Sequence, residues 1–187
     1  MALVKFKNTN KFLVNTKIFF TKLFNEISDL TITDLSLISE QKALEYLDRI
    51  DLSKIYTIKI LRTSVKHNST KVVLKGIGIL KRLKTIDSKK AICTALNNKD
   101  LTVVLEAIES LKLFKNHNVE KSLANCLTRK NKQVASAALW ALAEIKTPEA
   151  LLIIENVLDS NNEELAKTAS WILKGNKSYK TGKKLRA

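Results

Sequence analysis

Asn131–Lys146 reads NKQVASAALWALAEIK, and a shift of 31 residues in either direction lays this stretch over a similar one. Self-similarity at a fixed period is the mark of a repeat array. Five columns carry it. Leu61, Ile92, Leu123 and Ile154 form the first, and Val65, Leu96, Leu127 and Leu158 the second. Val72, Val103, Val134 and Leu165 form the third, Gly76, Ala107, Ala138 and Ala169 the fourth, and Leu80, Leu111, Leu142 and Leu173 the fifth. Large aliphatic columns thus flank a small one, which suits a helix that a neighbour approaches closely.

Within each period the apolar positions recur at steps of three and four, the spacing of an amphipathic helix. Two helices fit per period. Ser69, Asp100, Asn131 and Asn162 share one column between apolar runs, and Thr85, Asn116, Thr147 and Ser178 share another. Such side chains accept hydrogen bonds from the free N–H groups of a first helical turn, so both columns predict helix starts. Pro148, directly after Thr147, suits the first helical position. A single helix pair cannot bury its own apolar face, whereas stacked pairs can.

The stretch AALWALAEIKTPEALLIIENVLDSNNEELAKTASWIL, residues 137–173, resembles the HEAT-like repeats first described in phycobilisome lyases, and the resemblance extends over about residues 39–175. It implies an all-α fold, a right-handed α-solenoid of HEAT-like helical hairpins with a 31-residue period. One departure stands out. Where that family usually carries Arg just after the Val of the second helix, this chain has Val73, Val104, Ala135 and Ala166, so an Asp to Arg ladder between repeats is not expected.

The expected division of the 187 residues is a capping helix and link over 1–38, the array over 39–175 and a basic tail over 176–187. Residues 1–27 are rich in Lys, with Phe12, Phe20, Leu23, Phe24 and Ile27 at helical spacing. A membrane-surface or targeting helix is one reading; a cap over the open end of the array is preferred, since terminal repeats need one. Ala43, Leu44, Leu47 and Ile50 form a degenerate repeat, Ser53 is expected to start a helix to about His67, and Gly175 falls where a C′ residue belongs. Cys93 and Cys126, among aliphatic neighbours, read as buried free thiols. With no apolar run long enough to span a bilayer, a cytoplasmic protein is expected.

No catalytic or metal constellation is legible: His67 and His117 lack ligand partners at metal spacing, and neither a phosphate loop nor a nucleophile elbow is present. No cofactor is implied. The second-helix wheel is more informative. At about 100° per residue, the column Gly78, Glu109, Trp140, Trp171 points away from the core. The resemblance puts these helices on the concave surface, so Trp140 and Trp171 should lie side by side in a groove, roughly 10 Å apart by helix spacing. Glu144, one turn beyond Trp140, would add a polar contact.

Charge is uneven as well. The net +15 is concentrated in residues 61–90, which hold nine Lys or Arg against one acid. Lys71, Lys75, Lys81 and Arg82 form a candidate basic patch at the other end of the groove, able to steer an anion. The excess of Lys over Arg argues partly for compositional bias, because nucleic-acid readers favour the planar guanidinium. Three functions follow in order of preference. The first is a non-enzymatic scaffold binding a protein partner through its groove. The second is a nucleic-acid-binding HEAT-like protein, and the third, implied by the resemblance alone, is a bilin lyase or phycobiliprotein chaperone subunit.

Overall fold

A computed structural model describes residues 34–54, 57–114 and 118–175. The expected helix over 1–27, the cap residues Asn116 and Ser178, His117 and the tail over 176–187 lie outside these residues. Among the described residues the regular structure is wholly helical. In chain order the α-helices are α1 (Glu40–Arg49), α2 (Thr57–Ser64), α3 (Thr70–Leu83), α4 (Ile86–Ala95), α5 (Leu101–Leu111), α6 (Glu120–Leu127), α7 (Lys132–Ile145), α8 (Pro148–Val157) and α9 (Glu163–Gly175). Short 3-10 turns cover Leu35–Leu37 and Lys112–Phe114.

These helices form two layers. The second helices α1, α3, α5, α7 and α9 each pack on the next, and α2, α4, α6 and α8 back them as the first helices of α2/α3, α4/α5, α6/α7 and α8/α9 hairpins. This is an α-solenoid. The second helices α3, α5, α7 and α9 begin at Thr70, Leu101, Lys132 and Glu163, each 31 residues after the last. The first helices begin at Thr57, Ile86, Glu120 and Pro148 and do not keep that spacing.

The caps explain part of the difference. Asp100 accepts from the Thr102 N–H, Asn131 from the Gln133 and Val134 N–H groups, and Asn162 from the Leu165 N–H. Thr85 and Ser88 form a reciprocal capping box, and Thr147 accepts from the Ala150 N–H ahead of Pro148. Helix α6 instead follows Val119, which offers no side-chain cap. Ser69 precedes α3 without capping it; its own N–H donates to Nδ1 of buried His67, whose Nε2–H donates to the Ile38 carbonyl. His67 thereby ties the N-terminal segment to the array.

Two further expectations need correction. Helix α2 starts at Thr57 rather than Ser53, because Asp51 accepts from both the backbone N–H and the hydroxyl of Ser53 and holds residues 51–54 in a turn. It also ends at Ser64, short of His67. Gly175 is not a left-handed C′ residue but the last residue of α9, and positive φ occurs at Lys84, Asn118 and Lys146 instead. Lys84 and Lys146 close α3 and α7 in the left-handed region that glycine usually takes.

The core is the repeat's own columns. Every residue of the first, third, fourth and fifth columns is buried, and the second opens toward the C-terminal end, where Leu127 is half-buried and Leu158 exposed. The small column is needed most at Gly76. A Cβ there would stand 1.9 Å from Ser64 Oγ and 2.9 Å from Ser64 Cβ, so α2 and α3 touch at this point. Cys126 is buried, which pushes its thiol pKa up, whereas Cys93 is only half-buried, its Sγ 3.5 Å from Ser122 Oγ. Both thiols are free.

The positions where related repeats carry Arg are filled by buried Val73, Val104 and Ala135 and half-buried Ala166. Polar links between repeats run elsewhere. The Thr70 hydroxyl donates to the Asp100 carboxylate, Lys132 pairs with Glu164 at 2.9 Å, and Arg129 donates to Asn97. Among the described residues no helix is long and apolar enough to cross a membrane.

Candidate functional site: an aromatic and acidic groove on the second helices

The second-helix layer exposes what the wheel turned away from the core. Trp140 on α7 is 42 % exposed and Trp171 on α9 is 67 % exposed, although tryptophan usually spends its large apolar surface inside. Their rings meet edge to face, with centroids 5.5 Å apart and planes at 64°. This is closer than the roughly 10 Å expected from helix spacing, because both side chains lean across the gap between α7 and α9. Edge-to-face packing matches the positive rim of one ring to the negative face of the other.

Trp140 also lines an open cavity of about 630 Å³ between α3, α5 and α7. Leu74, Leu101 and Leu105 give it an apolar bed, while Glu106, Glu109, Lys112 and Glu144 supply the charge. Glu109 and Glu144 are brought together by a residue that the helical wheel did not reveal. Lys112, in the 3-10 turn after α5, places its Nζ 2.5 Å from Glu109 Oε1 and 2.8 Å from Glu144 Oε2. Its side chain is only 16 % exposed, against 64 % and 59 % for the two carboxylates. Burial draws the Lys112 pKa down, but hydrogen bonds and charge from Glu109 and Glu144 together outweigh it, and the ammonium is held above its usual value. The signal in the sequence was the i,i+3 spacing of Glu109 and Lys112, which a helix or a 3-10 turn brings to one side.

In the candidate basic patch three of the four cations are ion-paired. Lys71 pairs with Glu40 at 3.6 Å and Lys75 with Asp48 at 2.5 Å, both carboxylates on α1, and Lys81 pairs with Glu106 on α5 at 2.8 Å. Exposed Arg82 has no ion-pair partner among the described residues. Three of the four cations are thus compensated by acids outside the 61–90 segment, which a count along the chain could not show.

Two layers of paired helices, buried small columns and side-chain caps on α5, α7 and α9 are the frame on which this groove is built, and residues 90–174 match the family model described as HEAT repeats. Over that stretch the chain carries HEAT repeats. The match begins in α4 and runs through α9, so it includes Glu109, Lys112, Trp140, Glu144 and Trp171. Its description names HEAT repeats without the phycobilisome-lyase type that the sequence resembles. No curated protein matches the chain. In the HEAT-repeat frame the aromatic pair lies beside the Glu109–Lys112–Glu144 trio, Lys71 and Lys75 on α3 pair with α1, and Lys81 reaches the cavity through Glu106.

Proposed function

We propose that this chain is a HEAT-repeat scaffold that binds a protein partner along its second helices, with Trp140 and Trp171 as anchors. The observation that carries this reading is the exposure of both tryptophans, with Trp140 lining the 630 Å³ cavity and Trp171 packed against it. Tryptophan anchors seated beside a cavity and ringed by polar groups are what protein interfaces use for most of their binding energy. A nucleic-acid reading finds less support, since Lys71, Lys75 and Lys81 each face a carboxylate that a phosphate would have to displace. No feature of the groove favours a bilin.

The test is a photo-crosslinking residue at Gln133, exposed one turn before Ala137 on the groove side, with Leu152 on α8 as the control position. A partner captured only from Gln133 is then purified and its affinity measured against Trp140→Ala with Trp171→Ala. The double variant should bind at least about thirtyfold more weakly, equivalent to about 2 kcal/mol, with its thermal midpoint nearly unchanged. A large loss of melting temperature with full affinity would refute the anchor role.

A further inference from the structure

We infer that the groove beside Trp140 is a seat for a cationic side chain of the partner, arginine above all, set in an apolar stretch of its chain; this rests on the protein-binding reading above. The seat is built by Lys112. One largely covered ammonium binds one oxygen of Glu109 and one of Glu144, so it fixes two carboxylates that are themselves mostly open to solvent. The second oxygen of each has no partner among the described residues. Two carboxylates and one ammonium leave the trio with a net negative charge. A neutral trio would have needed only one acid.

Trp140 and Trp171 lie beside this charge, and among the described residues no cation stacks on either ring. A cation over an indole face is attracted by the ring quadrupole, and a guanidinium adds five N–H donors in a planar fork that suits carboxylate oxygens. Arginine is therefore the side chain that uses both halves of the seat at once. Lysine could use only one donor set without stacking flat. An acidic side chain or a phosphate would meet like charge. Leu74, Leu101 and Leu105 on the cavity bed offer contact to an apolar neighbour of the arginine. The chain's net +15 does not forbid a basic ligand, because its largest concentration, in residues 61–90, is partly neutralised by ion pairs and solvent screens exposed charge within about 8 Å at physiological salt.

The chain's only two tryptophans are Trp140 and Trp171, so tryptophan emission, excited selectively to the red of the three tyrosines, reports on this seat. The probe is the capped peptide Gly-Leu-Arg-Leu-Gly, compared with the same peptide carrying citrulline, which keeps the shape of arginine without its charge. The arginine peptide should change the emission saturably, and the citrulline peptide should bind at least about tenfold more weakly. Glu109→Gln with Glu144→Gln should bring the arginine peptide down to the citrulline level. The citrulline comparison uses the unaltered chain, so it decides even if the glutamine variant folds poorly. Equal affinity for the two peptides overturns the cationic seat and leaves groove binding standing. Binding of neither peptide also overturns the seat, and the groove reading is then judged by the Gln133 crosslink alone.

Discussion

Gly76→Ala, alone and combined with Ser64→Ala, tests whether the hairpins close as the small column requires. A methyl at position 76 would lie 1.9 Å from Ser64 Oγ, far inside contact distance. Rotating Ser64 away would break its 2.7 Å hydrogen bond to the Leu61 carbonyl and would still leave Ser64 Cβ at 2.9 Å. Helices α2 and α3 would have to separate by several tenths of an ångström. Overpacking of this kind costs about 1–3 kcal/mol, and the better helix propensity of alanine returns about 1 kcal/mol, so the single variant should lose about 1 kcal/mol. Ser64→Ala alone should be near neutral, since the hydroxyl only bonds a carbonyl of its own helix. The double variant is the informative one. It places alanine at both positions, the pair already present one repeat on as fully buried Ala95 and Ala107. Stability should recover only in part, with a coupling of about 0.5 kcal/mol between the two sites, because the Cβ at position 64 keeps its 2.9 Å contact when the hydroxyl is removed. Urea unfolding of all four proteins measures this, provided the slopes stay equal. A Gly76→Ala variant that is more stable than the parent, with effects that simply add, would show that α2 and α3 do not touch at Gly76.

Other expectations follow from the caps and the carboxylates. Asn131→Ala removes a side chain that accepts two N–H groups and should cost about 1 kcal/mol, whereas Ala138→Leu overpacks a fully buried position and should cost more; the reverse order in denaturant melts would refute the assigned register. Lys146→Gly relieves a left-handed C-cap at φ 57° and should stabilise the chain by about 0.5 kcal/mol in the same melts. The Asp100 pKa is lowered first by the Thr70 hydroxyl and then by the Thr102 N–H, and Asp34 and Asp51 are lowered by Ser36 and Ser53. A carboxylate depressed in the fold stabilises above its unfolded pKa, near 3.8, and loses that contribution as pH falls through the folded value, so the melting midpoint should be flat near neutrality and fall below about pH 4. Asp100→Asn should shrink that fall, and an unchanged acid limb would refute the assignment.

How far the sequence could be read depended on which layer held the residue. The second helices were legible because three constraints coincide on them: a buried valine or leucine, a small contact residue and a side-chain cap recur together from Asp100 to Leu173. The same wheel that gathered the core also turned Trp140 and Trp171 outward, since opposite faces of one helix are fixed by the same 100° step. Among the first helices, α4 and α8 start after Thr85 and Thr147 as the cap column predicts, whereas α2 and α6 escaped because local turns set their starts. Asp51 holds Ser53 in a turn and delays α2, and α6 begins at Glu120 after an uncapped Val119. Lys112 escaped for a related reason, as it lies in a 3-10 turn where the α-helical wheel no longer applies. Its pairing with Glu144 also joins α7 to the end of α5, and no periodicity within one helix encodes a contact between two. The ion pairs of the basic patch were hidden on the same ground. Lys71 and Lys75 are bare when counted along the chain, yet the stacking of α1 on α3 sets Glu40 and Asp48 against them. Columns report what every repeat shares, while the groove's charge is decided by what each repeat places against its neighbour. The Glu109–Lys112–Glu144 trio beside Trp140 exists only because α5, its 3-10 extension and α7 differ in sequence at equivalent positions.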